Sequence, residues 1–158
     1  MFRKLVRKNK QISSAECIEI LKSEKRGVLS VIGDDGYPYG MPLNHYYCDE
    51  DGHIYFHSGK AGHKIDALKR CDKVSYCVYD DGQPSDIEWA LKIRSVIVFG
   101  RVRFVEDFDR AMDISRKLSH CFTDDEQYIE NEIAKFGVAT QVLELIPEHI
   151  CGKIVLEA

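Results

Sequence analysis

A chain of 158 residues is long enough for one domain with a real core. A net charge of −4 with 30% charged residues fits a globular protein and argues against one that coats nucleic acid. Residues 1–10 are basic but lack the apolar run of a signal peptide, and no segment approaches a membrane span, so a cytoplasmic protein is expected. The six cysteines, Cys17, Cys48, Cys71, Cys77, Cys121 and Cys151, are widely spaced and form no CxxC pair. Without a secretory context, most read as buried small apolar residues, and a zinc site is disfavoured.

Ser13-x-x-Glu16 is a capping box, and Cys17, Ile18 and Leu21 give a helix over about 14–23 one apolar stripe. A strand, VLSVIG, follows Gly27, and Asp34-Asp35-Gly36 is a hairpin turn signal. A return strand is expected over about 39–48, then a turn, then a third strand over 53–57. These read as an antiparallel meander. Pro42 lies inside the second of them. Proline cannot donate to a ladder, so this strand must be an edge there or bulged, freeing backbone for another partner.

A helix over 63–71 precedes a fourth strand, KVSYCVY, and a polar loop over 80–88. A long strand is expected over 92–105, with Gly100 marking a bend or bulge. Asp107 or Asp109 caps a helix carrying Ala111, Ile114 and Leu118; a second helix is expected over about 124–136. GVATQVLELI reads as a strand and CGKIVLE as a separate short one. One domain over 1–158 is expected, with a helical N-terminal segment over about 1–25. Antiparallel strands with helices outside them make it mainly β, a small barrel with peripheral helices.

The most informative stretch is 55–70, YFHSGKAGHKIDALKR. It opens as a strand, breaks at Ser58-Gly59 and Gly62, and restarts as a helix with Ile65, Leu68 and Cys71 in step. Such a turn presents free backbone N–H groups to an anion, and Lys60, His63 and Lys64 add cationic or potentially cationic groups. A phosphate is the natural guest, although many strand-to-helix turns carry Gly and Lys with no ligand. It is not a Walker A loop: Ile65 stands where Ser or Thr would hold magnesium.

His53 and His57 share a strand face with Tyr55. His53 reads as solvent-facing, with no carboxylate at hand for a metal. His57 sits at the mouth of the strand, where it suits either a cofactor contact and proton relay or a hydrogen-bonded rim position. Trp89 suits a core plug or a ring at a cofactor's side, and the core is the better reading. No nucleophile elbow, HExxH or GxGxxG occurs.

DDGYPYGMPLNHYY, HIYFHSGKAGHKIDALKRCDKVSYCV, IRSVIVFGRVRFVED and the weaker IPEHICGKIV occur in this order. In them the chain resembles the pyridoxamine 5′-phosphate oxidase-like flavin-binding split-barrel family, and within it the nitroimidazole-resistance branch. The resemblance implies an antiparallel six-stranded split β-barrel, a homodimer, and FMN near the subunit interface. It matches the flavin-lining strand to Met41, Pro42, Leu43 and Asn44, and the next strand end to His57 and Ser58. The phosphate-binding pair falls on His63 and Lys64, beside Lys60 and Gly62; the oxidases usually have Arg-Lys there. A later flavin-side strand matches Arg94 and Ser95. The C-terminal arginine-rich signature of true pyridoxamine phosphate oxidases is missing from the 151–158 tail.

The expected activity is therefore flavin-mediated electron transfer to a small flat acceptor, such as a nitroimidazole. His57 would lie near the ring, and a reduced nicotinamide nucleotide, NAD(P)H, is a candidate donor. Two other readings compete with it. One is a flavin or haem carrier or sensor, with His45, His57 and His63 as candidate axial ligands. The other is an interaction domain with an empty pocket.

Overall fold

The structure is a computed structural model that describes residues 1–87 and 89–157. The last residue of the expected 80–88 loop, Glu88, and the C-terminal Ala158 lie outside the described residues. Helix α1 (Ser14–Ser23) starts at the expected capping box: Ser13 Oγ accepts from the Glu16 N–H, and the Glu16 carboxylate accepts from the Ser13 N–H. Its buried face is Cys17, Ile20 and Leu21.

The strands are β1 (Arg26–Ile32), β2 (Pro38–Asn44), β3 (Tyr46–Tyr47), β4 (Ile54–Gly59), β5 (Lys73–Tyr79), β6 (Gln83–Pro84), β7 (Leu91–Val105) and β8 (Thr140–Glu157). The sheet order is β2-β1-β5-β7-β8-β4-β3, with the two-residue β6 on β7. Every pairing is antiparallel. Six long strands thus form the curled sheet of a split barrel, and helices α2 (His63–Arg70), α3 (Phe108–His120) and α4 (Glu126–Phe136) pack outside it. Among the described residues no helix is long and apolar enough to cross a membrane.

Three expectations need correction. The first three strands do not form a simple meander: β4 leaves β2 and pairs with β8 instead. The second strand does not run unbroken over 39–48. It stops at His45, and Tyr46 and Tyr47 pair with Tyr55 and Ile54 on β4. Finally, the two strands expected at the C-terminus are one strand of 18 residues. The two expected strands are joined through Pro147, Glu148 and His149. This join is a bulge, in which Phe99 pairs with His149, Gly100 pairs with Pro147, and Glu148 is the extra residue.

Gly100 is required by this bulge. A Cβ there would lie 2.2 Å from the Ile146 carbonyl oxygen, so a side chain could fit only if the ladder moved. The barrel interior is filled by alternate residues of every long strand, including Leu29, Val31, Phe56, Tyr76, Val78, Val96, Val98, Leu143 and Leu145, all buried. A second cluster sits on the outer face under α3, where Tyr55, Val105 and Val142 meet Ala111, Met112 and Ile114.

His45 is the residue at which the chain passes from one sheet edge to the other, since β2 and β3 stand at opposite ends of the strand order. It is 2% exposed. Its Nε2 lies 2.7 Å from the Leu21 carbonyl oxygen, which can only accept, so Nε2 carries the proton. Nδ1 is then left to accept from the Tyr76 hydroxyl at 2.8 Å. Burial holds this imidazole neutral by pushing its pKa down, against the upward pull of the Leu21 bond.

Two outcomes follow from this packing. Gly100→Ala should lower the urea midpoint by an amount equivalent to about 1–3 kcal/mol, and an unchanged midpoint would mean that the bulge can shift to make room. The second concerns pH. Because the folded pKa of His45 is depressed, the unfolded chain takes up the proton first as pH falls below about 6.5. Thermal stability should therefore drop between pH 7.5 and 5.5, by up to about 1.4 kcal/mol per pH unit below that point. The drop should be shallower in His45→Gln, and an equal slope in both proteins would place the titrating group elsewhere.

Candidate functional site

Continued past His45, the β3–β4 register would set Asn44 opposite His57 and Leu43 opposite Ser58. The ladder stops instead, because β2 pairs with β1, Asn44 standing against Arg26 and Leu43 against Gly27. Cα atoms of β2 and β4 still come within 8 Å of one another, so the two edges face each other across a cleft. This is the split in the barrel. Met41–Asn44 and His57–Ser58 thus lie on the two strands that come close here without pairing.

Each wall residue has its own surroundings. Met41 is buried, its side chain turned into the barrel core. Pro42 is exposed and faces Val28 with no break in register; the edge position, not a bulge, accommodates it. The Leu43 carbonyl oxygen lies 3.3 Å from the Tyr76 hydroxyl oxygen, whose proton is given to His45, and Asn44 Oδ1 accepts from Arg26 Nε at 2.7 Å. On the other wall Ile54 and Phe56 point inward, fully buried, so Tyr55 and His57 point outward by alternation.

The chain leaves β4 at Gly59 and enters α2 through Gly62, whose φ of +116° favours glycine. Helices α1, α3 and α4 are capped by the side chains of Ser13, Asp107 and Asp125. Helix α2 has no side-chain cap, and space is open where a Cβ would stand on Gly59 or Gly62. Its first-turn N–H groups therefore face an uncrowded opening. Lys60 is exposed and Lys64 half-buried. Burial pushes the Lys64 ammonium pKa down.

His63 is turned away from this opening. Its ring stacks on Tyr39 at 4.2 Å between centroids, and Nε2 lies 3.6 Å from Asp34 Oδ2. The cationic side chains left at the turn are Lys60 and Lys64. His57 makes no side-chain hydrogen bond among the described residues, and burial, then the Lys64 charge, push its pKa down. A neutral imidazole beside an ammonium can hold a polar edge without adding charge. His45 has both ring nitrogens occupied, which removes it as an axial ligand.

Arg94 and Ser95 are not part of this opening. Arg94 Nε donates to Asp80 Oδ2 at 2.8 Å, and its backbone N–H donates to Asp80 Oδ1 at 2.9 Å. Burial pushes Asp80 up, but these bonds outweigh it and hold its carboxyl below the usual range. On β8, Ser58 stands opposite Gln141 (through β4) and Ser95 opposite Lys153 (through β7), twelve positions apart. That is on the order of 40 Å along a strand.

Two features escaped the sequence reading. The first is around His53, expected to face solvent with no carboxylate nearby. Its Nδ1 lies 2.9 Å from Glu144 Oε1, and Asp51, Tyr55 and Arg110 complete the group. Burial pushes Glu144 up, but the bonds from Arg110, His53 and Tyr55 hold it below the usual carboxylate range. Asp51, His53 and Glu144 offer ligand atoms within 4.8 Å of one another, yet Arg110 already supplies the cation there. The second is a groove of about 520 Å³ on the outer face, bounded by His57–Gly59, α3 and α4. Trp89, expected in the core, is 72% exposed. Of the six cysteines only Cys17 and Cys48 are fully buried, and all six are free.

The family model described as pyridoxamine 5′-phosphate oxidase matches residues 13–154. No curated protein matches the chain. Among solved structures, the fold is similar to that of a candidate 5-nitroimidazole antibiotic resistance protein from Bacteroides thetaiotaomicron, with a TM-score of 0.77, 19% identity, and 92% of this chain and 87% of that one covered. An FAD-binding protein from Mesorhizobium loti gives a TM-score of 0.67 and 23% identity, covering 92% of this chain and 97% of that one. The flavocytochrome Anf3 from Azotobacter vinelandii gives 0.74 and 21%, covering 90% and 67%. These identities speak to the fold. The family match spans most of the sequence, and with it the chain belongs to the pyridoxamine 5′-phosphate oxidase family.

Proposed function

We propose that this protein is an FMN-dependent oxidoreductase that passes electrons to a small flat acceptor, with nitroimidazoles as one candidate class. The observation that carries the reading is the uncapped N-terminus of α2, with Lys60 and Lys64 beside it, at the top of the split between β2 and β4. The FMN phosphate carries roughly −1.5 to −2 charge, which a helix N-terminus and lysines complement. The ring would lie against Met41–Asn44, with His57 and Ser58 on the facing wall. Names among the similar folds, an FAD-binding protein and a nitroimidazole resistance protein, point the same way.

Bound there, FMN would supply two-electron chemistry: NAD(P)H, a proton and the acceptor give NAD(P)⁺ and an acceptor reduced by two electrons and two protons. The chain's own residues anchor the phosphate, hold the ring against a rigid edge strand, and offer a neutral His57 to its polar edge.

The distance between Ser58 and Ser95 along the sheet bears on assembly. Arg94 and Ser95 lie far along the curled sheet from the β4–α2 turn, and in this reading they would contribute from a second copy. A homodimer with FMN near the interface satisfies this, and it also covers the open barrel edges.

A haem-binding carrier or sensor is the second reading. It is favoured by the His57 ring, which has no hydrogen-bond partner among the described residues.

Lys64→Ala should weaken FMN binding by about 1–3 kcal/mol, measured by quenching of flavin fluorescence, and unchanged affinity would place the phosphate elsewhere. Light scattering at micromolar concentration with FMN present should give the mass of a dimer. A monomer there would contradict a site shared between two chains.

A further inference from the structure

The groove on the outer face of β4 shares His57, Ser58 and Gly59 with the proposed flavin cleft but is walled by α3 and α4. Its volume of about 520 Å³ is in the usual range for a small-molecule site. Ile129 and Met112 form a buried floor, and Ile133 adds a half-buried apolar wall. Tyr128 and Phe136, on one face of α4, flank it at 56% and 55% exposure. Two aromatic rings left open beside an apolar floor suit a flat ring.

Two of its four serine and threonine hydroxyls are already committed as donors. Ser115 Oγ spends its proton on the Ala111 carbonyl at 2.8 Å, and Thr140 Oγ1 spends its own on the Phe136 carbonyl at 2.9 Å. Both oxygens are left as acceptors. Among the described lining residues Glu132 alone carries a full charge, and it makes a loose 3.9 Å pair with Lys135 on the same helix. His57, held toward neutrality, adds no positive charge. Ser58 and Ser119 add hydroxyls that can donate or accept, so the charge of Glu132 is what favours a ligand with a cationic or N–H donor substituent.

We propose, resting on the flavin reading, that this groove is the acceptor site. It takes a single flat aromatic ring bearing a cationic or N–H donor substituent, held between Tyr128 and Phe136 with the substituent toward Glu132. His57 is the wall shared by the two sites, which puts a ring in the groove next to the flavin cleft. Anionic acceptors, phosphorylated ones included, are selected against.

The three methionines, Met1, Met41 and Met112, make the test direct, because only Met112 lines the groove. With ¹³C-methyl-methionine protein, benzylamine should move the Met112 resonance saturably. Benzoate, the same ring with the opposite charge, should bind about fivefold more weakly or less. Glu132→Gln should bring the two probes close to equal affinity while leaving FMN quenching unchanged. The proposal fails if Met112 does not respond, or if the two probes bind alike to the unaltered protein. It also fails if FMN moves Met112 and benzylamine displaces it, since the groove would then be flavin site. A Met112 signal that follows protein concentration and ignores both probes would assign the groove to a second copy of the chain, which also overturns it. Benzylamine binding by a protein that does not quench FMN would refute the flavin reading, and with it the acceptor role, while leaving a ring-binding groove.

Discussion

The buried His45, bonded to the Leu21 carbonyl and the Tyr76 hydroxyl, fixes where the barrel is closed and where it is open. Below it the chain joins the two sheet edges covalently. Above it β2 is committed to β1 and β4 to β8, so two strands that could have paired stand apart. An imidazole meets this need because it donates at one nitrogen and accepts at the other while neutral. An aliphatic residue of similar size would leave the buried Leu21 carbonyl unpaired, at about 1–3 kcal/mol, and leave the Tyr76 hydroxyl only its longer contact with the Leu43 carbonyl. The split, and everything placed around it, depends on that residue being held.

The long β7–β8 ladder supplies the other constraint. Its bulge at Gly100 and Glu148 lets strands of 15 and 18 residues bend round the core without losing their pairing. Strand β8 then carries β4 on its far edge, which sets His57 opposite Val142 and delivers the β4–α2 turn to the top of the split. On the outer face, Glu144 holds Tyr55, His53 and Arg110 together and ties α3 to β4. That contact also fixes one wall of the groove beside His57. The anion-facing turn, the edge strand and the groove are thus three consequences of one curled sheet.

The local signals in the sequence carried most of the fold. The capping box at Ser13 and the glycine turn at 59–62 act through neighbours a few residues away, and the structure has them as read; Gly100, read as a bend or bulge, is one, although its reason lies across the ladder at Ile146. What misled was long-range. Tyr46 and Tyr47 look like a continuation of β2, because alternation does not tell which partner a strand takes. Pro147 reads as a terminator unless one knows that a bulge receives it. Glu144 interrupts an apolar run, VLELI, and that lone charge was the available sign of a buried ion cluster. Its partners lie 34 to 91 residues away, beyond any local pattern. The candidate site divides in the same way. The segments 41–44 and 57–58 were named through the resemblance to the family. That Arg94 lies far along the sheet, bound to Asp80, could be known only from the register.

The most direct measurement is an absorbance scan of the protein as purified, repeated after adding FMN and removing the excess. Retained visible bands of an oxidised flavin, bleached by a reduced nicotinamide nucleotide and restored by an acceptor, are the expected result. A colourless protein that retains no FMN, or a haem Soret band in place of the flavin bands, would contradict the proposed flavin site at the split.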